Sequence, residues 1–456
     1  MPLLDSTDAR PVHFVGIAGA GMSGLAQLFL GRGIPVTGCD ANPGSAEDLA
    51  RLGVRVTPHD PSHADGARAL VVTSAMPKDH PELVRAREIG VPVIRRAEAL
   101  GEVTAGRELV GIAGTHGKTT TTVMTTAALA AAGRDPTALV GGRVSAWEGN
   151  LHAGSDRLYV VEADEYDRSF LALSPTVAVV TNVEADHLDI YQDLADIKRA
   201  FAQFVSGARA IVLNADDAGA DGLRTPSSTE VFRFGIESRD ARVIAKDLKL
   251  APEGSTFRVV YDGDDLGAVR LQIPGRHNVL NALAALSAGV SLGASVPDMA
   301  RGLAKFAGVE RRFQRLGEAR GVIVVDDYAH NPGKLAAALA TARVAFPRRR
   351  LVVAFQPHLF TRTRDFAREF GASLAAADLV FLTEIYPARE QPIAGVSSSL
   401  VAEALQDAGG TLSWRGERPQ LAAALANAVR EGDVVLTVGA GDITKTGPEL
   451  LERLGR

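Results

Sequence analysis

Apolar, β-rich runs alternate with Ala- and Leu-rich amphipathic runs along almost the whole chain. Val12–Ile17, Pro35–Cys39, Ala69–Thr73 and Val91–Ile94 are short apolar runs of the kind that form buried strands, and Met22–Gly31 predicts a helix between the first two. Such a βαβ rhythm predicts parallel sheets covered by helices. The rhythm restarts at Leu109–Ala113, which runs through a glycine-rich turn into a helix at Thr122–Ala132. It restarts again at Val322–Asp326, before a helix that follows Pro332. Three α/β domains are therefore expected, over 1–105, 106–312 and 313–456. Thr256–Tyr261 and Ala268–Ile273 alternate polar and apolar residues around Asp-Gly-Asp-Asp, which predicts a β-hairpin appended to the middle domain. The basic run Arg348–Arg350 reads as a solvated loop.

Composition narrows the function without naming it. The chain has 456 residues, 46% of them hydrophobic and 23% charged, as in ordinary globular proteins. The net charge of −5 argues against a nucleic-acid surface, so an anionic ligand has to be held by local amides, cations or metal. One cysteine, Cys39, leaves no internal disulfide and reads as a packed small residue. No apolar stretch is long enough to span a bilayer and residues 1–11 lack a signal core, so a cytoplasmic protein is expected.

Two glycine loops carry the chemistry. Gly19-Ala-Gly21-Met-Ser-Gly24 follows a strand and opens a helix, the layout in which backbone N–H groups receive a diphosphate. Asp40 ends the next strand, where a ribose hydroxyl is read. The loop alone fits NAD and a UDP-sugar equally. Gly114-Thr-His-Gly117-Lys118-Thr119-Thr120-Thr121 lies between a strand and a helix, the layout that a nucleoside triphosphate needs. There backbone N–H groups wrap the phosphates, Lys118 balances their charge and Thr119 reaches Mg²⁺. The spacing departs from the usual P-loop, with Ile112 where its first glycine stands. Mg²⁺ needs oxygen ligands, and two later strands, Leu158–Val161 and Val177–Thr181, run into acids: Glu162-Ala-Asp164-Glu165 and Asn182-Val-Glu184-Ala-Asp186-His187-Leu-Asp189.

Taken together, these segments resemble the Mur ligase family. Gly114–Thr121 resembles its ATP loop, Asn182–Asp189 its Asn-x-x-x-Asp-His-Leu-Asp segment, and Gly275-Arg-His-Asn278-Val-Leu-Asn281 its adenine-side helix start. Three stretches, Gly16–Gly24, Asp326-Asp-Tyr-Ala-His330 and Phe355-Gln-Pro-His358-Leu-Phe-Thr-Arg362-Thr, are most similar to members that add L-alanine to UDP-N-acetylmuramate. The resemblance implies a Rossmann-like N-terminal domain, a central P-loop-type ATPase domain and a Rossmann-like C-terminal domain. It settles the first loop in favour of a UDP-sugar, with contacts from Gly19, Ala20, Gly21, Met22, Ser23, Asp40 and Ser74. It implies ATP contacts from Gly114, Thr115, His116, Gly117, Lys118, Thr119, Thr120, Asn278, Asn281, Arg312 and Asp327. Thr119, Glu162 and His187 would hold Mg²⁺, and His330, His358 and Arg362 would surround the amino acid. Lys118, His187, His330 and Arg362 are the expected catalytic set. Asn331 and Leu359 depart from the family's pattern beside His330 and His358.

The implied reaction is ATP-driven ligation of L-alanine to UDP-N-acetylmuramate through an acyl phosphate, in peptidoglycan precursor synthesis. A monomer or weak homodimer is expected. The alternatives are a ligase that attaches a recycled murein tripeptide to the same sugar, an NAD-dependent oxidoreductase and an ATP-gated UDP-sugar sensor.

Overall fold

The computed structural model describes residues 3–43, 47–74, 76–187, 190–251, 253–388 and 390–455. They form two compact units. One comprises Met1–Lys249, Thr256–Leu271 and His277–Phe306; the other comprises Leu250–Ser255, Gln272–Arg276 and Ala307–Arg456.

The first unit contains two sheets. Its N-terminal sheet has β1 (Val12–Val15), β2 (Val36–Cys39), β3 (Val56–Thr57), β4 (Ala69–Val72) and β5 (Val93–Arg95), in the order β3-β2-β1-β4-β5 and all parallel. Strand order reverses at β1, the position where open α/β sheets bind ligands. Alternation along β1 divides its side chains. Val12 and Phe14 join the core under helix Ala20–Gly31, whereas Val15 packs with Leu83 and Ala86 of helix Pro81–Ile89.

Ten strands make the central sheet: β6 (Glu108–Ala113), β7 (Thr137–Val144), β8 (Gly149–His152), β9 (Leu158–Glu162), β10 (Val177–Val180), β11 (Ala210–Asn214), β12 (Glu230–Gly235), β13 (Val243–Ala251), β14 (Gly254–Tyr261) and β15 (Asp264–Leu271). Their order is β15-β14-β13-β12-β11-β10-β6-β9-β7-β8, so β6 lies between β10 and β9, parallel to both. The expected hairpin is therefore part of a three-strand extension of this sheet. Its turn is only Asp262-Gly263, both at positive φ (49° and 96°), the backbone of a tight type I′ connection.

The helix after β6 spans Lys118–Ala131 and starts earlier than the apolar pattern predicts. A run of threonines hides this turn in the sequence, because β-branched residues are weak helix formers. Here Thr122, Thr125 and Thr126 donate to the carbonyls one turn back, at 2.7–2.9 Å, and are buried without unpaired hydroxyls.

The second unit is built on β16 (Gln314–Ala319), β17 (Val322–Asp327), β18 (Arg350–Phe355), β19 (Leu379–Thr383), β20 (Leu412–Gly416) and β21 (Asp433–Val438), ordered β16-β17-β21-β18-β19-β20. Only β16 runs antiparallel to its neighbour. Arg350 corrects the solvated-loop expectation for the basic run. It begins β18 and pairs with the buried Asp433 at 2.6 Å.

Candidate active site

The turn after β6 is clamped by the end of β10. Thr115 N–H donates to the Asn182 carbonyl at 3.1 Å and His116 N–H to Asn182 Oδ1 at 2.7 Å, while Thr181 Oγ1 donates to the His116 carbonyl at 2.6 Å. Gly117 has φ +82°, and a Cβ there would lie 2.6 Å from Asn281 Oδ1. That oxygen accepts from Thr121 Oγ1 at 3.1 Å, and Asn281 Nδ2 donates to Asn278 Oδ1 at 3.3 Å. Both asparagines are buried and brace the loop from the start of helix Arg276–Ser291. Thr120, also buried, belongs to the first turn of the helix after the loop.

Because β9 and β10 flank β6, their acidic ends fall on either side of this loop. Lys118 Nζ donates to the Gly114 carbonyl at 2.7 Å and to Glu165 at 2.6 and 2.8 Å. Burial alone would lower the lysine's pKa, but Glu165, Asp164 and Glu162 outweigh it and raise the value. Burial likewise pushes Glu165 up, yet Lys118 and His187 hold it down at about 2. His187 Nε2 is 3.6 Å from Glu165, and its backbone is left-handed at φ +54°. Thr119 Oγ1 lies 3.1 Å from both oxygens of Glu162, which also accepts from Gly141 N–H at 2.8 Å. Asp189, of the His-Leu-Asp run, is outside the described residues.

At the first glycine loop, Gly19 and Ala20 are exposed at the start of helix Ala20–Gly31, with Gly21 beside them and Ser74 exposed in the turn after β4. The carboxylate of Asp40 accepts from Ala18 N–H at 3.0 Å and Asn42 N–H at 2.9 Å, so it shapes the loop. The Met22 side chain is 1% exposed and belongs to the core. Ser23 Oγ donates to the Ala20 carbonyl at 3.1 Å. Gly24 serves packing, since a Cβ there would come within 2.4 Å of Leu139 Cδ1. Beside the loop is a cleft lined by Ala18, Ala20, Ser23, Asp48, Arg143 and Asn150, among others, with Arg143 and Asp48 paired at 3.0 Å.

In the second unit, chemistry gathers at the C-terminal ends of β17, β21 and β18. Asp327 accepts from Phe313 N–H and Ala329 N–H, each at 2.7 Å, fixing the turn that carries Arg312, whose guanidinium stacks on Tyr328. Burial raises the pKa of Asp327, partly offset by Arg312. The neighbouring Arg311 also lies over the Tyr328 ring and is anchored at 2.7 Å from the Gly439 carbonyl and 3.4 Å from buried Asp326. His330 Nδ1 is 2.9 Å from the Tyr328 carbonyl, which makes Nδ1–H the donor and leaves the lone pair on Nε2. Burial, then Lys334 and Arg362, hold its pKa well below the ordinary 6.5. The rings of His330 and His358 are 6.2 Å apart, and Arg362 Nη1 is 3.3 Å from His358 Nδ1. The two departures from the family's pattern have local roles. Asn331 caps helix Pro332–Ala345 by accepting from Lys334 N–H at 2.9 Å, and Leu359 precedes helix Phe360–Leu374 at φ +71°.

Three family models match in chain order: the Mur ligase family catalytic domain over residues 11–108, the Mur ligase middle domain over 112–289, and the Mur ligase glutamate ligase domain over 311–441. A UDP-N-acetylmuramate–L-alanine ligase of Cutibacterium acnes is 46% identical over 98% of this chain and 97% of its own. The chain belongs to the Mur ligase family. A Streptomyces avermitilis protein of the same name is 42% identical over 100% and 99%. Among solved Mur ligase structures, the UDP-N-acetylmuramate–alanine ligase of Thermotoga maritima superposes with a TM-score of 0.83 at 30% identity, over 97% of this chain and 99% of that one. A murein peptide ligase of Psychrobacter arcticus gives 0.73 at 25% identity, over 98% and 99%.

Within this Mur ligase, sequence reasoning omits Glu165, the buried partner of Lys118. Its signal was present, as the second acid after β9. Arg143 and Asn150 beside the first glycine loop carry no local signal, because β7 and β8 reach that loop only through the tertiary fold. Tyr386, stacked on His358 with ring centroids 5.8 Å apart, is equally silent.

Proposed function

We propose that this Mur ligase joins L-alanine to UDP-N-acetylmuramate at the expense of ATP, in cytoplasmic synthesis of peptidoglycan precursors. The observation that carries the reading is identity of 42–46% over nearly the full length to relatives that bear the alanine-adding name. The tripeptide-adding alternative has weaker support, from a ligase structure of that name at 29% identity over 67% of this chain and a TM-score of 0.60.

A carboxylate and an amine do not condense in neutral water without activation. The muramyl carboxylate attacks the γ-phosphorus of ATP, forming an acyl phosphate as ADP leaves. The alanine amine then attacks the acyl carbon and phosphate departs. Lys118, already in the first turn after the loop, binds the transferring phosphates, and the loop amides orient them. The oxygen donors of Thr119 and Glu162 converge as a hard cation requires, and they would hold Mg²⁺, with His187 a further ligand. When bound, Mg²⁺ neutralises charge on the phosphates. Asn278 and Asn281 keep the loop in shape, and Arg312 and Asp327 belong to the nucleotide contacts. His358 and Arg362 receive the amino-acid carboxylate, and Nε2 of His330 accepts the amine's proton. The UDP diphosphate lies on Gly19–Ser23, with Asp40 holding that loop and Ser74 at its side.

The test is phosphate release with ATP, Mg²⁺ and UDP-N-acetylmuramate, with L-alanine, murein tripeptide or no acceptor. Release is expected with alanine alone; release that ignores both substrates sinks the proposal. Lys118→Ala should abolish release while the variant still binds the UDP-sugar.

A further inference from the structure

The N-terminal sheet contains a second set of reactive side chains, and the chemistry above uses none of them. His13 on β1, Cys39 at the end of β2, His63 in the turn Pro61–Ala64 and Glu82 in the first turn of helix Pro81–Ile89 point their donor atoms at one spot. All four donors lie within 4.8 Å of one another. His13 Nε2 is 3.3 Å from Cys39 Sγ and 3.5 Å from Glu82; Glu82 is 3.1 Å from Cys39 Sγ and from His63 Nδ1. A tetrahedron around Zn²⁺, with bonds of about 2.0 Å to nitrogen or oxygen and about 2.3 Å to one sulfur, has edges of roughly 3.3–3.5 Å. The observed spacings already approach this.

The surroundings match as well. Zinc-binding imidazoles donate their remote N–H to a second group that fixes the tautomer. His13 Nδ1 is 2.9 Å from Thr37 Oγ1 and His63 Nε2 is 3.2 Å from Thr57 Oγ1, hydroxyls able to accept those N–H groups when the two nitrogens that face the cluster bind a cation. Asp60 N–H orients Glu82 at 2.9 Å. Glu82 and Cys39 are 0% exposed, in an apolar layer with Val15, Leu83 and Ala86. Among the described residues no lysine or arginine is bonded to this buried carboxylate; three imidazoles, a thiol and one backbone N–H surround it, a donor set that a soft divalent cation would complete. His59, 28% exposed and 3.1 Å from Cys39 Sγ, stands on the solvent side as a way in. Sulfur and nitrogen donors select zinc over magnesium.

We propose that His13, Cys39, His63 and Glu82 form a structural Zn²⁺ site that ties β1, β2 and the helix at Glu82 together. The purified full-length protein should hold one Zn²⁺ per chain by elemental analysis after dialysis, and chelation should lower its thermal midpoint. Replacement by Co²⁺ should give the visible bands of tetrahedral cobalt with a thiolate charge-transfer band. Cys39→Ser should lose that band, and Thr37→Val, which keeps all four ligands, should weaken Zn²⁺ binding about 10-fold or more. Wild-type protein that retains no zinc, or whose cobalt spectrum is octahedral without a thiolate band, overturns the proposal before any variant is made. A cobalt spectrum unchanged in a folded Cys39→Ser or His63→Gln protein overturns it too.

Discussion

Two residues of the candidate site respond to acid in different ways. Glu165 has its carboxyl held at about 2, below the ordinary 4.5, so its ionised form stabilises the fold. That contribution is complete above 4.5 and is lost as pH falls from 4.5 toward 2. Glu165→Gln should therefore flatten the pH dependence of the urea midpoint in that window; an unchanged slope would show that the Lys118 pair contributes nothing. On the proposed mechanism, His330 acts on activity instead. Its pKa lies well below 6.5, so the imidazole is neutral near pH 7 and Nε2 is available as a base. Loss of kcat on acidification should set in below 6.5, and His330→Asn should remove that limb along with most of the rate. A pH–rate profile of each protein decides this.

At the scale of elements, much was legible because hydrophobic period and turn chemistry agree. The strands β1, β2, β4, β6, β10 and β17 stand within a few residues of their apolar runs, and both glycine loops join a strand to a helix as the pattern demands. The illegible parts have physical reasons. The start of helix Lys118–Ala131 is written in threonine, which signals helix only once its hydroxyls bond back to the chain. Arg350 reads as solvated until folding brings buried Asp433 beside it. Glycine spacing could not separate ligand contact from packing. Gly24 belongs to packing: Gly24→Ala drives a methyl to 2.4 Å from Leu139 and 2.9 Å from Asn150. The cost should be about 1–3 kcal/mol in denaturant unfolding. Gly117→Ala meets Asn281 from a left-handed backbone and should weaken ATP binding at least tenfold while UDP-sugar binding is kept, as calorimetric titration of both ligands would reveal.

For the molecule as a whole, two compact units mean that a single unfolding free energy is not well defined. Arg350→Met, which strands buried Asp433, should cost the second unit about 3 kcal/mol and lower its calorimetric transition alone. A shift of the whole trace as one peak would contradict that independence. The placement of His330 and His358 has a further consequence. Both follow the ends of strands whose apolar residues lie in the core of the unit, so on the proposed reading the two histidines are distinct from the side chains that pack it. Acceptor preference is then transplantable. Exchanging the segments after β17 and β18 for those of a murein peptide ligase should redirect the enzyme toward a longer acceptor while its melting temperature barely moves.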